Sequence, residues 1–238
     1  YDALWTGLRP LCMSAPFVEG FTSLRGFAEE AVVALDPPPI SSRLVAQGYG
    51  AREISAIGET VEVFSHGNFP YLTLATSVRL LMEGEAFGGN RDAAPAFDGR
   101  HAPDISVPFV LMEAHHADTP TQEVYRDVMK VLGLPFVNTD YRAFARWPSY
   151  WATAWSDLRP AVSSPIYEEI CQSVHARVVE IARALPNPGG LTSETLHAAA
   201  AKDASFDEVR DVCRLFQWLL PGLVVNVAFL RAQLRDGG

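Results

Sequence analysis

Residues 138–148 read Asn-Thr-Asp-Tyr-Arg-Ala-Phe-Ala-Arg-Trp-Pro, a pattern that predicts a short helix with a polar start. Thr139 or Asp140 suits the N-cap position, because a side-chain oxygen there accepts hydrogen bonds from unpaired N–H groups of the first turn. Pro148 is expected to end the helix. One side of the helix is apolar, formed by Tyr141, Phe144, Ala145 and Trp147. Asp140 therefore has two candidate roles, as a helix cap or as a carboxylate that acts chemically among aromatic side chains.

The rest of the chain shows the three- and four-residue spacing of apolar side chains that is typical of helices. Gly67 and Pro70 are expected to separate two of these helices, because proline removes a backbone hydrogen bond. Strand-like alternation does not stand out, so the predicted fold class is all-α. Helices are predicted over residues 1–10, 16–35, 40–47, 51–64, 71–83 and 121–132.

The second half of the chain repeats parts of the first half. Residues 5–10 share Trp, Leu, Arg and Pro with residues 155–160, an offset of 150. Residues 53–57 match residues 208–212 after a few inserted positions, at an offset of 155. Two similar helical repeats that form an intrachain pseudo-dimer are therefore predicted.

The repeat pattern gives three predicted segments. The first helical repeat covers residues 1–84, a linker rich in Gly, Asp and Pro covers residues 85–108, and the second repeat covers residues 109–238. Because position 1 falls inside a helical pattern, the first repeat is expected to lack its N-terminal part.

The two copies can be compared with each other to find polar residues that the architecture does not require. At the offset of 155, Asn68 corresponds to Leu223 and Tyr71 corresponds to Asn226. A buried Asn must satisfy its carboxamide or cost a few kcal/mol. Asn68 is therefore a candidate functional residue.

Composition and charge narrow the function classes. The 238 residues are 48% hydrophobic and carry a formal net charge of −9 without a Lys/Arg cluster, which argues against nucleic acid and anionic membrane surfaces as partners. The longest apolar run, residues 219–230, contains Pro221 and Gly222, so a membrane span is not expected. Three scattered cysteines favour a reducing, cytoplasmic compartment.

No pattern for a metal or an organic cofactor stands out. The pair His115-His116 lacks a third ligand at a zinc-like spacing, and adjacent residues point in different directions. The sequence also lacks a nucleophile elbow, a Walker loop and a dinucleotide fingerprint. We therefore expect neither a metal nor a cofactor.

Two motifs resemble those of a known family, the group I 2-haloacid dehalogenases. Residues 66–72, His-Gly-Asn-Phe-Pro-Tyr-Leu, are similar to the family's Gly-Asn-Pro-x-Tyr turn. Residues 139–148 are similar to its Ser-Asp-x-x-Ala-x-Ala-x-Trp-Pro segment, with Thr139 in place of Ser. The proline of the first motif stands one place later, at Pro70. The resemblance spans essentially the whole chain and includes the duplication.

The resemblance implies an all-helical, cofactor-independent hydrolase that converts 2-haloalkanoic acids to 2-hydroxy acids. Asp140 falls on the family's catalytic carboxylate, which activates a water that attacks C2 directly, with inversion and without an ester intermediate. Asn68 falls on the active-site Asn that orients this water, and Tyr71 and Thr139 fall on residues that shape the substrate pocket. A homodimer is also implied.

Two other functions stay open on the sequence alone. One is a related helical hydrolase or decarboxylase-like enzyme that acts on another small carboxylic acid with the same residues. The other is a non-catalytic helical binding module. The differences at Asn68 and Tyr71 between the two copies favour catalysis, because a purely structural duplication has less reason to keep them.

Overall fold

The computed structural model describes residues 2–87, 94–203 and 205–235. Residues 88–93 of the predicted linker lie outside these ranges. Ten α-helices are found within the described ranges: α1 (Asp2–Cys12), α2 (Ala15–Ala31), α3 (Ser41–Ala46), α4 (Ala51–Met82), α5 (Thr119–Leu132), α6 (Thr139–Phe144), α7 (Pro148–Val162), α8 (Pro165–Ala184), α9 (Ser193–Asp203) and α10 (Phe206–Arg235). A 3-10 turn, Val32–Leu35, extends α2, and the described residues contain a single isolated β-bridge, between Ser14 and Ala96. The predicted all-α class is confirmed.

Local capping signals explain why α5 begins and ends close to its predicted limits. Asp118 is the N-cap, and its carboxylate accepts a hydrogen bond of 2.9 Å from the backbone N–H of Thr121. Pro120 stands in the first turn, where its missing N–H costs nothing. Gly133 ends the helix in the left-handed conformation, with φ of 66°.

The predicted helix boundaries at Pro70 and Pro148 are wrong. Pro70 lies inside the continuous helix α4, and Pro221 lies inside α10. Each helix loses one backbone hydrogen bond there, and burial of the neighbouring apolar side chains Phe69 and Leu220 offsets the loss. Pro148 begins α7 rather than ending a helix, since the first helical position needs no N–H partner.

Helix α10 is long and apolar enough to cross a membrane when length and composition alone are considered. Within its most apolar 18-residue window, 56% of the residues are buried in the protein. Core helices of soluble proteins pass the same test, so the finding is weak evidence for a membrane span.

The chain divides into two compact units, each assembled from three separate segments. Unit 1 comprises Tyr1–Ala28, Gly67–His101 and Cys171–Val224. Side chains near the end of α4 join its segments: Arg79 donates to Gln217, and Glu83 accepts a hydrogen bond of 2.9 Å from Arg214. Helix α1 also packs against α9.

Unit 2 comprises Glu29–His66, Ala102–Ile170 and Val225–Gly238. Arg231 pairs with both Glu29 and Glu62, and thereby links two of its segments. Within this unit α7 packs against α5 and α6. The division of the chain into repeats 1–84 and 109–238 stays a prediction.

Candidate active site

Asp140 is the second residue of α6 in unit 2, and only 4% of its surface is exposed. Among the residues that the structure describes, it is the one acidic residue in the buried class. The prediction that Thr139 or Asp140 serves as N-cap is wrong. The backbone becomes helical at Thr139, so Asn138 is the N-cap, and its side chain makes no capping hydrogen bond.

Aromatic side chains surround the start of α6, as the sequence predicts. Tyr141 is 1% exposed and stacks on Trp151, with ring centroids 5.1 Å apart and an interplanar angle of 17°. Phe144 is fully buried and contacts Trp151 and Phe64 edge-on or tilted. Asp140 therefore lies on a helix whose neighbouring residues are packed into an apolar core.

A hydrogen-bonded chain of three buried side chains reaches α6 from α8 and α10. The Tyr167 hydroxyl donates to Asn226 Oδ1 at 2.8 Å, and Asn226 Nδ2 donates to the Tyr141 oxygen at 2.9 Å. Burial raises the pKa of Tyr141, and the charge of Asp140 raises it further, so this phenol stays protonated. Sequence reasoning did not place Asn226 or Tyr167 here. The available signal was an Asn in an apolar run, because its carboxamide must find partners.

Thr139, a predicted pocket residue, lies at the surface. Its hydroxyl accepts a hydrogen bond of 3.3 Å from Arg142 Nη2. The same guanidinium binds Glu113, with Nη1 2.8 Å from Oε1 and 2.7 Å from Oε2. Thr139 follows Asn138, whose buried Oδ1 has no hydrogen-bond partner in the described part of the chain. This orphaned acceptor is a polar group near Asp140 that the sequence reasoning missed.

Asn68 and Tyr71 lie on α4, in the part that belongs to unit 1. Asn68 is 6% exposed, whereas Tyr71 is 64% exposed. Asp140 and Thr139 belong to unit 2. Helix α4 brings Asn68 and Tyr71 together, and α6 brings Thr139 and Asp140 together. That the four residues act in one active site stays a prediction.

Unit 2 also contains a cavity of about 710 Å³ outside the predicted site. Its walls include apolar residues of α5, such as Met129, and the cationic side chains of Arg126 and Arg142. Val137 also lines it, three residues before Asp140.

The described residues contain no cluster of His, Cys, Asp and Glu able to hold a metal ion. The rings of His115 and His116 contact each other, with centroids 4.0 Å apart. The described residues contain no disulfide, and burial raises the pKa of Cys12 and of Cys213. A raised pKa leaves these two thiols protonated and unreactive at neutral pH.

Comparison with known proteins gives close relatives and no matching family model. The chain is 39% identical over 195 residues to an (R)-2-haloacid dehalogenase of Rhizobium sp. (strain NHG3), an alignment that covers 82% of this chain and 75% of the relative. It is 37% identical over 195 residues to an (R)-2-haloacid dehalogenase of Pseudomonas putida, covering 81% of this chain and 65% of the relative.

A solved structure has the same fold. It is a D-2-haloacid dehalogenase mutant in complex with D-2-CPA, 33% identical in sequence, with a TM-score of 0.83. The superposition covers 98% of this chain and 80% of that protein.

Proposed function

Because the chain belongs to the group I 2-haloacid dehalogenase family, whose members are hydrolases acting on carbon–halide bonds, we propose that it hydrolyses short 2-haloalkanoic acids to 2-hydroxy acids. One structural observation carries this proposal: the Asp140 carboxylate is buried. A carboxylate is rarely buried unless it is paired or has a chemical role, because removing its charge from water costs free energy. Buried titratable groups are therefore candidates for catalysis.

Asp140 acts as the general base. It accepts a proton from a water molecule whose oxygen attacks C2 of the substrate, and the C2–halide bond breaks as the new C–O bond forms. The halide leaves with the bonding electron pair, and the proton passes from Asp140 to solvent. Direct displacement inverts the configuration at C2, and no ester forms because Asp140 is not the nucleophile. The reaction needs neither a metal nor an organic cofactor.

Asn68 orients the attacking water, and Tyr71 and Thr139 shape the pocket. The support for Asn68 is its burial together with its motif, since a buried carboxamide supplies both a donor and an acceptor for a water. Tyr71 is largely exposed, which suits a residue at the rim of a pocket.

The relatives' names include the (R) configuration, and we infer the same preference for this chain.

The repeated residues support an intrachain pseudo-dimer, and the family likeness supports a homodimer in solution. The three scattered cysteines support a cytoplasmic protein. The net charge of −9 supports the proposal that neither nucleic acid nor an anionic membrane is a partner.

The direct test is halide release from (R)- and (S)-2-chloropropionate by the unmodified chain and by Asp140→Asn. We expect faster release from the (R) enantiomer and at least about a thousandfold loss of kcat in the variant, because asparagine cannot accept the proton. Glu123→Gln removes an exposed carboxylate on α5 and serves as the matched control. Undiminished chloride release by folded Asp140→Asn would refute the assignment.

A single turnover in ¹⁸O-labelled water separates direct attack from an ester route. With enzyme in excess over substrate, direct attack puts the label in the 2-hydroxy acid during the first turnover. An ester route instead puts an unlabelled Asp140 oxygen into the first product and labels the protein. Mass spectrometry of the product and of the peptide containing Asp140 distinguishes the two.

A further inference from the structure

Helix α6 depends on its side chains for its orientation. It has six residues, too few to be stable by themselves, so tertiary contacts must fix it. Its N-cap side chain makes no capping hydrogen bond that would add local stability. The direction of the Asp140 carboxylate therefore depends on whatever prevents α6 from rotating about its axis.

The hydrogen bond from Asn226 to Tyr141 is a buried and directional anchor of this helix. Both residues are 1% exposed, and the bond is 2.9 Å long. The pair between Arg142 and Glu113 also holds α6, but its side chains are 26% and 38% exposed. Stacking of Tyr141 on Trp151 fixes the plane of the ring. The bond from Asn226 fixes where the end of that ring lies.

Tyr167 holds the other end of the Asn226 carboxamide in place. Its hydroxyl donates to Asn226 Oδ1 at 2.8 Å, while the amide nitrogen on the other side donates to the Tyr141 oxygen at 2.9 Å. Both ends of the carboxamide are therefore bonded to phenols, and a flipped carboxamide would only exchange the donor and acceptor roles of Tyr141 and Tyr167. A fully satisfied buried network of this kind favours one conformation.

We propose that Asn226, held by Tyr167, is a positioning residue for Asp140, which it holds in place through Tyr141. This inference rests on the proposed function, in which Asp140 is the general base. Tyr141 directly follows Asp140 in the chain, so a rotation of α6 that moves the phenol also moves the carboxylate. A misplacement of about 1 Å in a catalytic group costs on the order of 100-fold in rate.

Four variants test the proposal, with steady-state halide release as the assay. Tyr141→Phe and Asn226→Leu each remove the anchor from one end, and the double variant removes both ends. We expect each single variant to lower kcat by about tenfold or more with KM changed by less than about twofold. The double variant should be no slower than the slower single variant, because both changes delete the same bond. Tyr167→Phe should give a smaller loss, since it removes the partner of one end of the carboxamide and leaves the bond between Asn226 and Tyr141.

Tyr150→Phe is the matched control. Tyr150 is also fully buried and packs edge-on against Phe144 of α6, with ring centroids 6.5 Å apart. Its hydroxyl has no hydrogen-bond partner in the described part of the chain, so the change removes a phenol without removing an anchor. Its kcat should stay within about twofold of the unmodified chain.

The outcomes separate this inference from the proposed function. A kcat within about twofold in Tyr141→Phe and Asn226→Leu, or losses that multiply in the double variant, would overturn the positioning role. If the unmodified chain releases no halide, the proposed function fails, and near-ultraviolet circular dichroism decides the inference. The signal from the stacked Tyr141 and Trp151 should weaken in Asn226→Leu and Tyr167→Phe but not in Glu123→Gln, and an unchanged signal would overturn it.

Discussion

At the residue scale, Asp140 and Tyr150 are two buried polar side chains that affect the protein in different ways. Asp140, the proposed general base, is only 4% exposed. Tyr150 is also fully buried, but its hydroxyl finds no partner in the described residues. Burial raises the pKa of Tyr150, as expected for a phenol without a stabilising donor. A buried hydroxyl without a hydrogen-bond partner lowers the free energy of unfolding.

Tyr150→Phe is therefore expected to stabilise the protein by about 1 kcal/mol, because it removes the unpaired hydroxyl and keeps the ring. Urea unfolding at pH 7 measures the difference. Tyr125→Phe is the opposite case, because the Tyr125 hydroxyl donates to the Met112 carbonyl at 2.7 Å. That change should destabilise by about 1 kcal/mol. Equal effects of the two substitutions would contradict the argument.

Sequence reasoning identified the candidate carboxylate but not its anchors. The aromatic spacing around Asp140 is local, so the burial of α6 was predictable from it. Asn226 lies 85 residues from Tyr141, and Tyr167 lies 59 residues from Asn226. No local pattern joins residues that are so far apart in the chain. The carboxamide's need for partners signals that such residues exist and does not identify them.

At the element scale, α5 and α7 are joined by one carboxylate. Asp127 on α5 accepts hydrogen bonds from Arg159 Nε at 2.7 Å and from Trp155 Nε1 at 2.8 Å, both on α7. The Arg159 guanidinium, followed by the Trp155 indole N–H, holds the pKa of Asp127 below its ordinary value. A depressed pKa means that the carboxylate stabilises the fold above the unfolded-state pKa, about 4, and that this contribution is lost as pH falls.

Two substitutions at Asp127 separate charge from hydrogen bonding. Asp127→Asn keeps an acceptor for Trp155 and should cost only about 0.5 kcal/mol at pH 7, because Arg159 is 53% exposed and solvent screens the pair. The difference from the unmodified chain should shrink as pH falls below about 4. Asp127→Ala also leaves the N–H of buried Trp155 without its acceptor, and should cost about 2 kcal/mol. Urea unfolding between pH 7 and pH 3 measures both.

Proline was the least reliable signal for element boundaries. Pro120 and Pro148 both stand in first turns, where proline favours a helix start. Pro70 and Pro221 lie inside long helices that continue past them. A local rule treats a proline inside an apolar helical pattern as a helix breaker, whereas burial of the flanking side chains decides the outcome. Where caps and proline agreed, as at α5, the prediction held to within two residues.

At the scale of the whole molecule, the segments of each compact unit are far apart in the chain. Unit 1 needs residues 171–224 beside residues 1–28 and 67–101. Its polar contacts cross these gaps: Glu85 pairs with Arg183 at 2.8 Å, and Arg214 binds Glu83. The predicted first repeat, residues 1–84, contains only part of this set.

This arrangement predicts that a fragment of residues 1–108 does not fold on its own. The fragment contains the predicted first repeat and linker but lacks the parts of α8, α9 and α10 that complete unit 1. Arg79 would lose Gln217, α1 would lose its contact with α9, and apolar residues buried in unit 1 would face water. We expect low helicity and no cooperative urea transition for this fragment, measured by far-ultraviolet circular dichroism. Mixing it with residues 109–238 should raise the helicity above the sum of the two. A fragment 1–108 that unfolds cooperatively by itself would show instead that the predicted repeat is an autonomous domain, because its local contacts would then outweigh the contacts that it shares with residues 171–224.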